Sequence, residues 1–389
     1  MKALINGKII VKDDILNDCV LLYDKKIIGI IKKDALQYVA GVKEVIDAKN
    51  HYVSPGFIDL HIHGSAGFDT MDATFEAINN ISKSIAKTGV TSFLPTTMTM
   101  PIEAITKSLK NIKDCMHKKL DGAKVQGVHL EGPFISKKYK GAQNEKYIMK
   151  PDYNFIKPYL ELLKIITFAP EEDQRYGFIE NTKKHKNIRL SMGHTGATFE
   201  EALKAIDKGV TYVTHTFNGM TGLHHRNPGV IGAVFSRDVY CELIADTIHV
   251  HKGFFQAFID INKKERIILI TDSMMAGCMK CGKYSLGGQN VIVDAHSARL
   301  ENGTLAGSIL KLNEAIRNIR DNTTYKLNEI INMASLNQAR AIGIDDQLGS
   351  IEKGKKSDLV IFDQDINILS TIIDGNIAYE VNMDEDYLC

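Results

Sequence analysis

Five apolar runs along this chain each stop at a residue able to bind a metal ion or carry a proton. PGFIDLHIHG runs into His61 and His63, VQGVHLEGP into Glu131, IRLSMGHTGAT into His194, TYVTHTFN into His215 and RIILITDS into Asp272. Apolar runs without polar alternation suit strands covered on both faces, as in a parallel sheet. Residues two apart on a strand point the same way, so His61 and His63 address one point. Any single run of this kind is weak. The same pattern at five successive strand ends describes the rim of a barrel, where such folds carry their active sites.

The segments between these runs support that architecture. Helical stretches are predicted over 73–88, 101–119, 198–208 and 250–262, and further strand-like runs appear as VTSFLPT, KIITFAP and YCELIAD. Strand–helix alternation of this length predicts an α/β protein, a (β/α)8 TIM-like barrel. The ends read differently. ALINGKIIV, CVLLYD, KIIGIIK and EVIDAKNHYV before residue 54, and KKSDLVIFD, INILSTIID and NIAYEVN after 345, are short strands set off by turns such as Asn6-Gly7. The expected layout is therefore a small β-sandwich built from 1–53 and 346–389 beside a metal-dependent barrel over 54–345. The Gly-rich segment 280–306 interrupts the rhythm and reads as a hairpin insertion near 280–300. Ser308 after it reads as a cap for the next helix.

Composition limits the function classes. With 48 basic and 47 acidic residues, net charge is +1, which argues against nucleic acid or an anionic membrane as principal partner. No apolar run has the length of a signal peptide or a bilayer span. Cysteines at 19, 115, 241, 278, 281 and 389 form no disulfide framework. Cys278 and Cys281 have zinc or redox spacing but lack a second pair, and read as free thiols. A cytoplasmic enzyme is the expectation.

His61, His63, Glu131, His194 and His215 supply four imidazoles and a carboxylate, more than one closed tetrahedral site needs. One or two divalent ions with open positions are expected. Such a His/Glu set accepts zinc or iron foremost, and also manganese or cobalt. A bound ion acidifies water and polarises a carbonyl, and Asp272 is placed to take a proton from that water and return it to a leaving nitrogen. The chemistry expected is metal-assisted hydrolysis of an amide-like bond.

These motifs, with HLEGPFI, THTFNGM, RNPG, IADTIHV, TDSMMAG, TLAGS and GKKSDLVIFD, resemble the N-acetylglucosamine-6-phosphate deacetylase family of the amidohydrolase superfamily over nearly the whole chain. The resemblance implies a barrel with a β-sandwich from both ends, and Glu131, His194 and His215 as ligands of the principal ion. Family members differ at the first strand, where His61 and His63 favour a second ion. The implied substrate is a phosphorylated N-acetyl amino sugar, attacked at its acetamide by water activated at the metal, with Asp272 as general base and acid. Ala142 and Gln143 would approach the acetamido group, and Asn218 and Gly219 would hold phosphate or sugar. Asp246, Thr247, Ile248 and His249 would line the sugar and phosphate side. Leu305, Ala306 and Gly307 would close over the ring. Arg226 would grip phosphate, often lent by the partner subunit, which implies a homodimer or homotetramer. Some relatives have histidine at the position of Gln143; glutamine donates a hydrogen bond but cannot become cationic. The galacto epimer of the substrate, a cyclic-amidase activity and a non-catalytic sugar-phosphate-binding barrel are the rival readings.

Overall fold

The computed structural model describes residues 1–381; residues 382–389, with Cys389 and the last residue of the NIAYEVN run, lie outside the described residues. Parallel strands organise the middle of the chain: β1 Phe57–Ile62, β2 Val90–Pro95 with the two-residue strand 124–125 beside it, β3 Val128–Glu131, β4 Leu163–Phe168, β5 Arg189–Met192, β6 Tyr212–Val213, β7 Tyr240–Ile244 and β8 Ile267–Ile270. β3 to β8 form one six-stranded sheet in sequence order, and β1 pairs with β2 in another. At their carboxyl ends the two sheets meet through bridges Thr96–His129 and Ile62–Ser273. Every residue of β1, β2, β3 and β8 is buried, which accounts for their predominantly apolar character.

Helices cover this sheet. The stretch predicted over 73–88 forms α1, Phe75–Ala86, capped by the Thr74 hydroxyl accepting from the Ala77 N–H. The stretch over 101–119 forms α2, Ile102–Met116, and the one over 198–208 forms α3, Phe199–Lys208, which opens with a Thr198/Glu201 capping box. In 250–262 a short 3-10 turn, Lys252–Phe254, precedes α4, Phe255–Asn262. Their apolar faces join the strands in one large cluster that includes Ile78, Ile105, Phe168, Phe258 and Leu269.

The two chain ends are interleaved. One six-stranded sheet runs 376–380, 368–373, 359–362, 52–55, 8–10, 15–16, so that Val360 lies opposite Ser54 and Ile9 opposite Val53. A four-stranded sheet, 27–32, 19–23, 2–5, 44–47, packs on it through Leu4, Leu21, Tyr23, Val53 and Ile361. Residues 282–286, 289–293 and 298–300 form a separate three-stranded antiparallel sheet. Ser308 does not cap a helix. Its hydroxyl donates to the Thr271 carbonyl, while α5, Leu312–Asn322, begins at Lys311, whose N–H donates to the Glu314 carboxylate at 3.3 Å.

Candidate metal centre and active site

The five strand ends converge. The Nε2 atoms of His194 and His215 lie 3.1 and 3.0 Å from Glu131 Oε1 and 3.0 Å from each other. On the other side, His63 Nε2 is 3.3 Å from both Glu131 Oε2 and Asp272 Oδ1, and His61 Nε2 is 3.5 Å from Asp272 Oδ1. Two buried ligand groups result, Glu131/His194/His215 and His61/His63/Asp272, and Glu131 touches both.

The backbone that presents these groups is bent in a particular way. His194, His215 and Asp272 each stand two residues beyond a strand, and their φ values are 47°, 28° and 50°. Non-glycine residues rarely enter this left-handed region. Here it turns the side chain inward over the strand ends, and strain of this kind gathers at functional sites. The fold holds the kinks with hydrogen bonds: the Asp272 N–H donates to the His61 carbonyl at 2.8 Å, and the Ser308 N–H donates to the Asp272 carbonyl at 2.7 Å.

Two of the imidazoles are held from behind by backbone carbonyls, whereas His215 Nδ1 is buried without a hydrogen-bond partner. His63 Nδ1 donates to the Thr96 carbonyl at 3.2 Å and His194 Nδ1 to the Tyr139 carbonyl at 2.9 Å. Both Nε2 lone pairs therefore face the centre, the arrangement that prepares histidine for a metal. The charge balance asks for a cation. Glu131, Asp272 and Glu242 are buried, and among the described residues their ion-pair partners are histidines alone. Burial disfavours a charged His61, yet Glu242, Asp272 and Glu131 around it raise its pKa to about 9. Burial likewise pushes the Asp272 carboxyl up, but His61 and His63 outweigh it and hold the pKa at about 2. A converging set of nitrogen and carboxylate donors with this balance fits a divalent ion.

The surrounding loops sort the other expected residues. Gln143 is buried; its Oε1 accepts the Thr99 N–H at 2.7 Å, so its Nε2 points to Glu131 Oε2 at 2.9 Å and His194 at 3.3 Å. Ala142 precedes it, with its carbonyl accepting from Gln289 of the 282–293 hairpin. Gly219 has φ 60° and accepts the Thr195 N–H; a Cβ there would come within 3.0 Å of His194 Nδ1. Asn218 donates to the His215 and Thr216 carbonyls at 3.3 Å. Gly307 lies against the Asp272 carbonyl, Ala306 is buried and Leu305 half-buried beside it. In the loop after β7, Asp246 accepts from the Ile248 and His249 N–H groups and from His249 Nδ1, with Thr247 at φ 69° between them. Asp246 thus orders its own turn and presents the far edge of the His249 ring. Arg226 is exposed, its guanidinium 2.8 Å from His225 Nε2, and no hydrogen bond or ion pair joins it to the candidate ligand groups of this chain among the described residues. Cys278 and Cys281 are exposed free thiols.

Three buried residues beside the centre escaped the sequence reading. Asp59 accepts from the Thr271 hydroxyl at 2.6 Å, His129 bridges the Leu60 carbonyl and the Thr167 hydroxyl, and Glu242 contacts both His61 and His215. Their signal was present as polar residues inside apolar runs: FIDL, GVHL and CELI.

Residues 52–378 match the amidohydrolase family, and the chain belongs to that family. The fold is accordingly the TIM-barrel-like fold of the amidohydrolase superfamily, whose members typically depend on divalent metal. Among curated relatives, the N-acetylglucosamine-6-phosphate deacetylase of Bacillus subtilis is 42% identical, covering 87% of each chain. The N-acetylgalactosamine-6-phosphate deacetylase of Escherichia coli O157:H7 is 36% identical over 83% of this chain and 87% of its own. The crystal structure of N-acetylglucosamine-6-phosphate deacetylase from Pasteurella multocida superposes with TM-score 0.91 at 30% identity, covering 97% of this chain and 99% of that one. No helix among the described residues is long and apolar enough to cross a membrane.

Proposed function

We propose that this chain hydrolyses N-acetylglucosamine 6-phosphate to glucosamine 6-phosphate and acetate. The observation that carries the reading is the meeting of Glu131, His194, His215 and Asp272 at one rim, in a chain 42% identical to a deacetylase of that name. Glu131, His194 and His215 would hold the principal ion, and His61 and His63, with Asp272 beside them, a second. When bound, the ion supplies a Lewis acid that polarises the acetamide carbonyl and acidifies water. Zinc or iron suits these donors foremost.

The remaining work falls to side chains. Asp272, ionised at neutral pH, takes a proton from the attacking water and returns it to the departing amine as the carbon–nitrogen bond breaks. Gln143, its amide fixed by Thr99, points an N–H toward the carbonyl under attack, where the oxygen gains negative charge. Ala142 flanks the acetamide. Asn218, Gly219, the Asp246–His249 loop and the 305–307 segment form the sugar side. Arg226 grips phosphate from a neighbouring subunit, which makes the working unit a homodimer or homotetramer. Binding the distant phosphate places the amide over the reacting groups.

The architecture behind this reading is one closed (β/α)8 barrel over 54–345, with the 282–300 sheet as its insertion and a β-sandwich from 1–53 and 346–381. The two bridged strand pairs at the rim support closure. We place the enzyme in the cytoplasm, with neither nucleic acid nor membrane as partner.

Amine release from N-acetylglucosamine 6-phosphate, its galacto epimer and both unphosphorylated sugars, with and without added divalent metal, tests the reading. Metal-dependent turnover preferring the gluco phosphate is expected. Preference for the galacto phosphate would transfer the same mechanism to the second substrate, the one for which the Escherichia coli relative is named. No turnover on any of the four would overturn the enzymatic reading.

A further inference from the structure

Glu242 stands in the middle of β7, fully buried, where the run YCELI otherwise supplies apolar side chains. One of its oxygens, Oε2, accepts two hydrogen bonds: from His61 Nδ1 at 2.9 Å and from the His215 N–H at 2.8 Å. These donors belong to different ligand groups, His61 to the group with His63 and Asp272, His215 to the group with Glu131 and His194. The other oxygen, Oε1, makes no hydrogen bond of good geometry; His129 Nδ1 stands 3.9 Å away, and the buried Tyr212 hydroxyl, itself without another partner, is the neighbouring donor that Glu242 influences. A carboxylate oxygen so poorly paired in a barrel interior is unfavourable, so the residue is hard to account for by packing alone.

We propose that Glu242 is a positioning residue that, through this single oxygen, sets the geometry of both metal sites and the basicity of the His61 ring. By accepting a hydrogen bond from His61 Nδ1 it keeps a proton on that nitrogen and leaves Nε2, which faces Glu131 and Asp272, as the atom to bind an ion. By taking the His215 N–H it pins the residue with the smallest positive φ of the rim, 28°. Carboxylates placed behind metal-bound histidines typically change metal affinity about 10–100-fold when removed. His61, His129 and Glu242 also lie close enough together to suggest a third ion site. That alternative fails on chemistry, because His129 already spends its nitrogens on the Leu60 carbonyl at 3.0 Å and the Thr167 hydroxyl at 2.7 Å.

The inference rests on the two-ion reading, and the experiment separates their failures. Metal-free full-length protein, wild type, Glu242→Gln and Glu242→Leu, is titrated with cobalt(II) and followed by visible absorption, with circular dichroism and Tm recorded for each. Wild type is expected to bind two equivalents. Glu242→Gln keeps an acceptor but loses the charge, and its weaker equivalent is expected to bind about 10-fold less tightly; Glu242→Leu should lose about 100-fold. The absorption of the cobalt forms should also shift between wild type and both variants, which a loss of packing alone would not produce. If the leucine variant does not fold, the glutamine variant decides. Two equivalents bound by a folded variant with wild-type affinities and spectrum would overturn the role of Glu242 and leave the two-ion reading standing. A single equivalent in wild type would overturn both.

Discussion

At the scale of residues, Asp272 carries the most specific expectation. Asp272→Asn would remove the proposed proton carrier while keeping a neutral group of the same shape. We expect kcat to fall roughly 10²–10⁴-fold with metal content at His194 and His215 retained, measured by amine release beside metal analysis. Near-normal turnover would remove Asp272 from the chemistry. Gln143 makes a quieter prediction: if bound ions already polarise the carbonyl, Gln143→His should leave kcat within a few-fold, and a large gain would show that glutamine limits the reaction. The meeting of the four candidate ligand histidines with Glu131 and Asp272 was legible in the sequence because each stands at the end of an apolar run. Glu242, Asp59 and His129 were not, because a polar residue inside a buried strand gains its meaning only from partners on other strands, 27 residues away in the contact of Glu242 with the His215 N–H and 181 in that with His61. The left-handed turns at the rim were equally hidden: histidine and aspartate enter positive φ more readily than most residues, yet still too rarely for GHT, THT or TDS to announce it.

At the scale of elements, the strands and helices follow their periodicity closely. The stretches predicted over 73–88 and 198–208 appear as Phe75–Ala86 and Phe199–Lys208, the second ended by Gly209. The expected boundary fails at Ser308, where a hydroxyl suited to a helix cap is used to fasten the loop under Asp272. Polar groups buried between elements also carry a pH signature. Asp358, beside the strand 359–362, is buried; its Oδ1 accepts the Asp374 N–H at 2.8 Å while Oδ2 has no partner. Burial pushes its carboxyl pKa above the ordinary value, with Lys124 opposing. The folded state therefore holds this proton more tightly than the unfolded chain. Its contribution to stability is complete below the ordinary carboxylate range and is lost as pH rises through the raised value. Asp358→Asn should accordingly melt higher than wild type at neutral pH, with the difference in Tm shrinking as pH falls into the ordinary carboxylate range. A constant difference across that window would assign the effect to something other than ionisation.

At the scale of the whole molecule, the proposed role of Arg226 is tested by asking what one subunit can do alone. Its guanidinium lies against His225 in an exposed loop, away from the ligands of its own chain. If it serves a neighbour, two inactive variants should rescue one another. Asp272→Asn mixed with Arg226→Ala and allowed to exchange subunits should recover up to about a quarter of wild-type turnover, because one pairing in the mixed dimers restores a complete site. No recovery, with subunit exchange demonstrated, would return Arg226 to the surface. Sequence alone could place Arg226 in a motif but not on a side of the fold, since a loop records nothing of which subunit it faces.

The interleaved sheet at the chain ends has a consequence for how the protein is made. The strand 52–55 is flanked by 8–10 on one side and by 359–362 on the other. During synthesis the first of these neighbours emerges early, while the second leaves the ribosome about 300 residues later, roughly 15–60 s at ordinary elongation rates. Throughout that interval the nascent chain presents an unpaired strand edge bearing Val53, a template for pairing with another nascent chain. Yield on fast translation, rather than the stability of the finished enzyme, is where substitutions in 52–55 should be felt first.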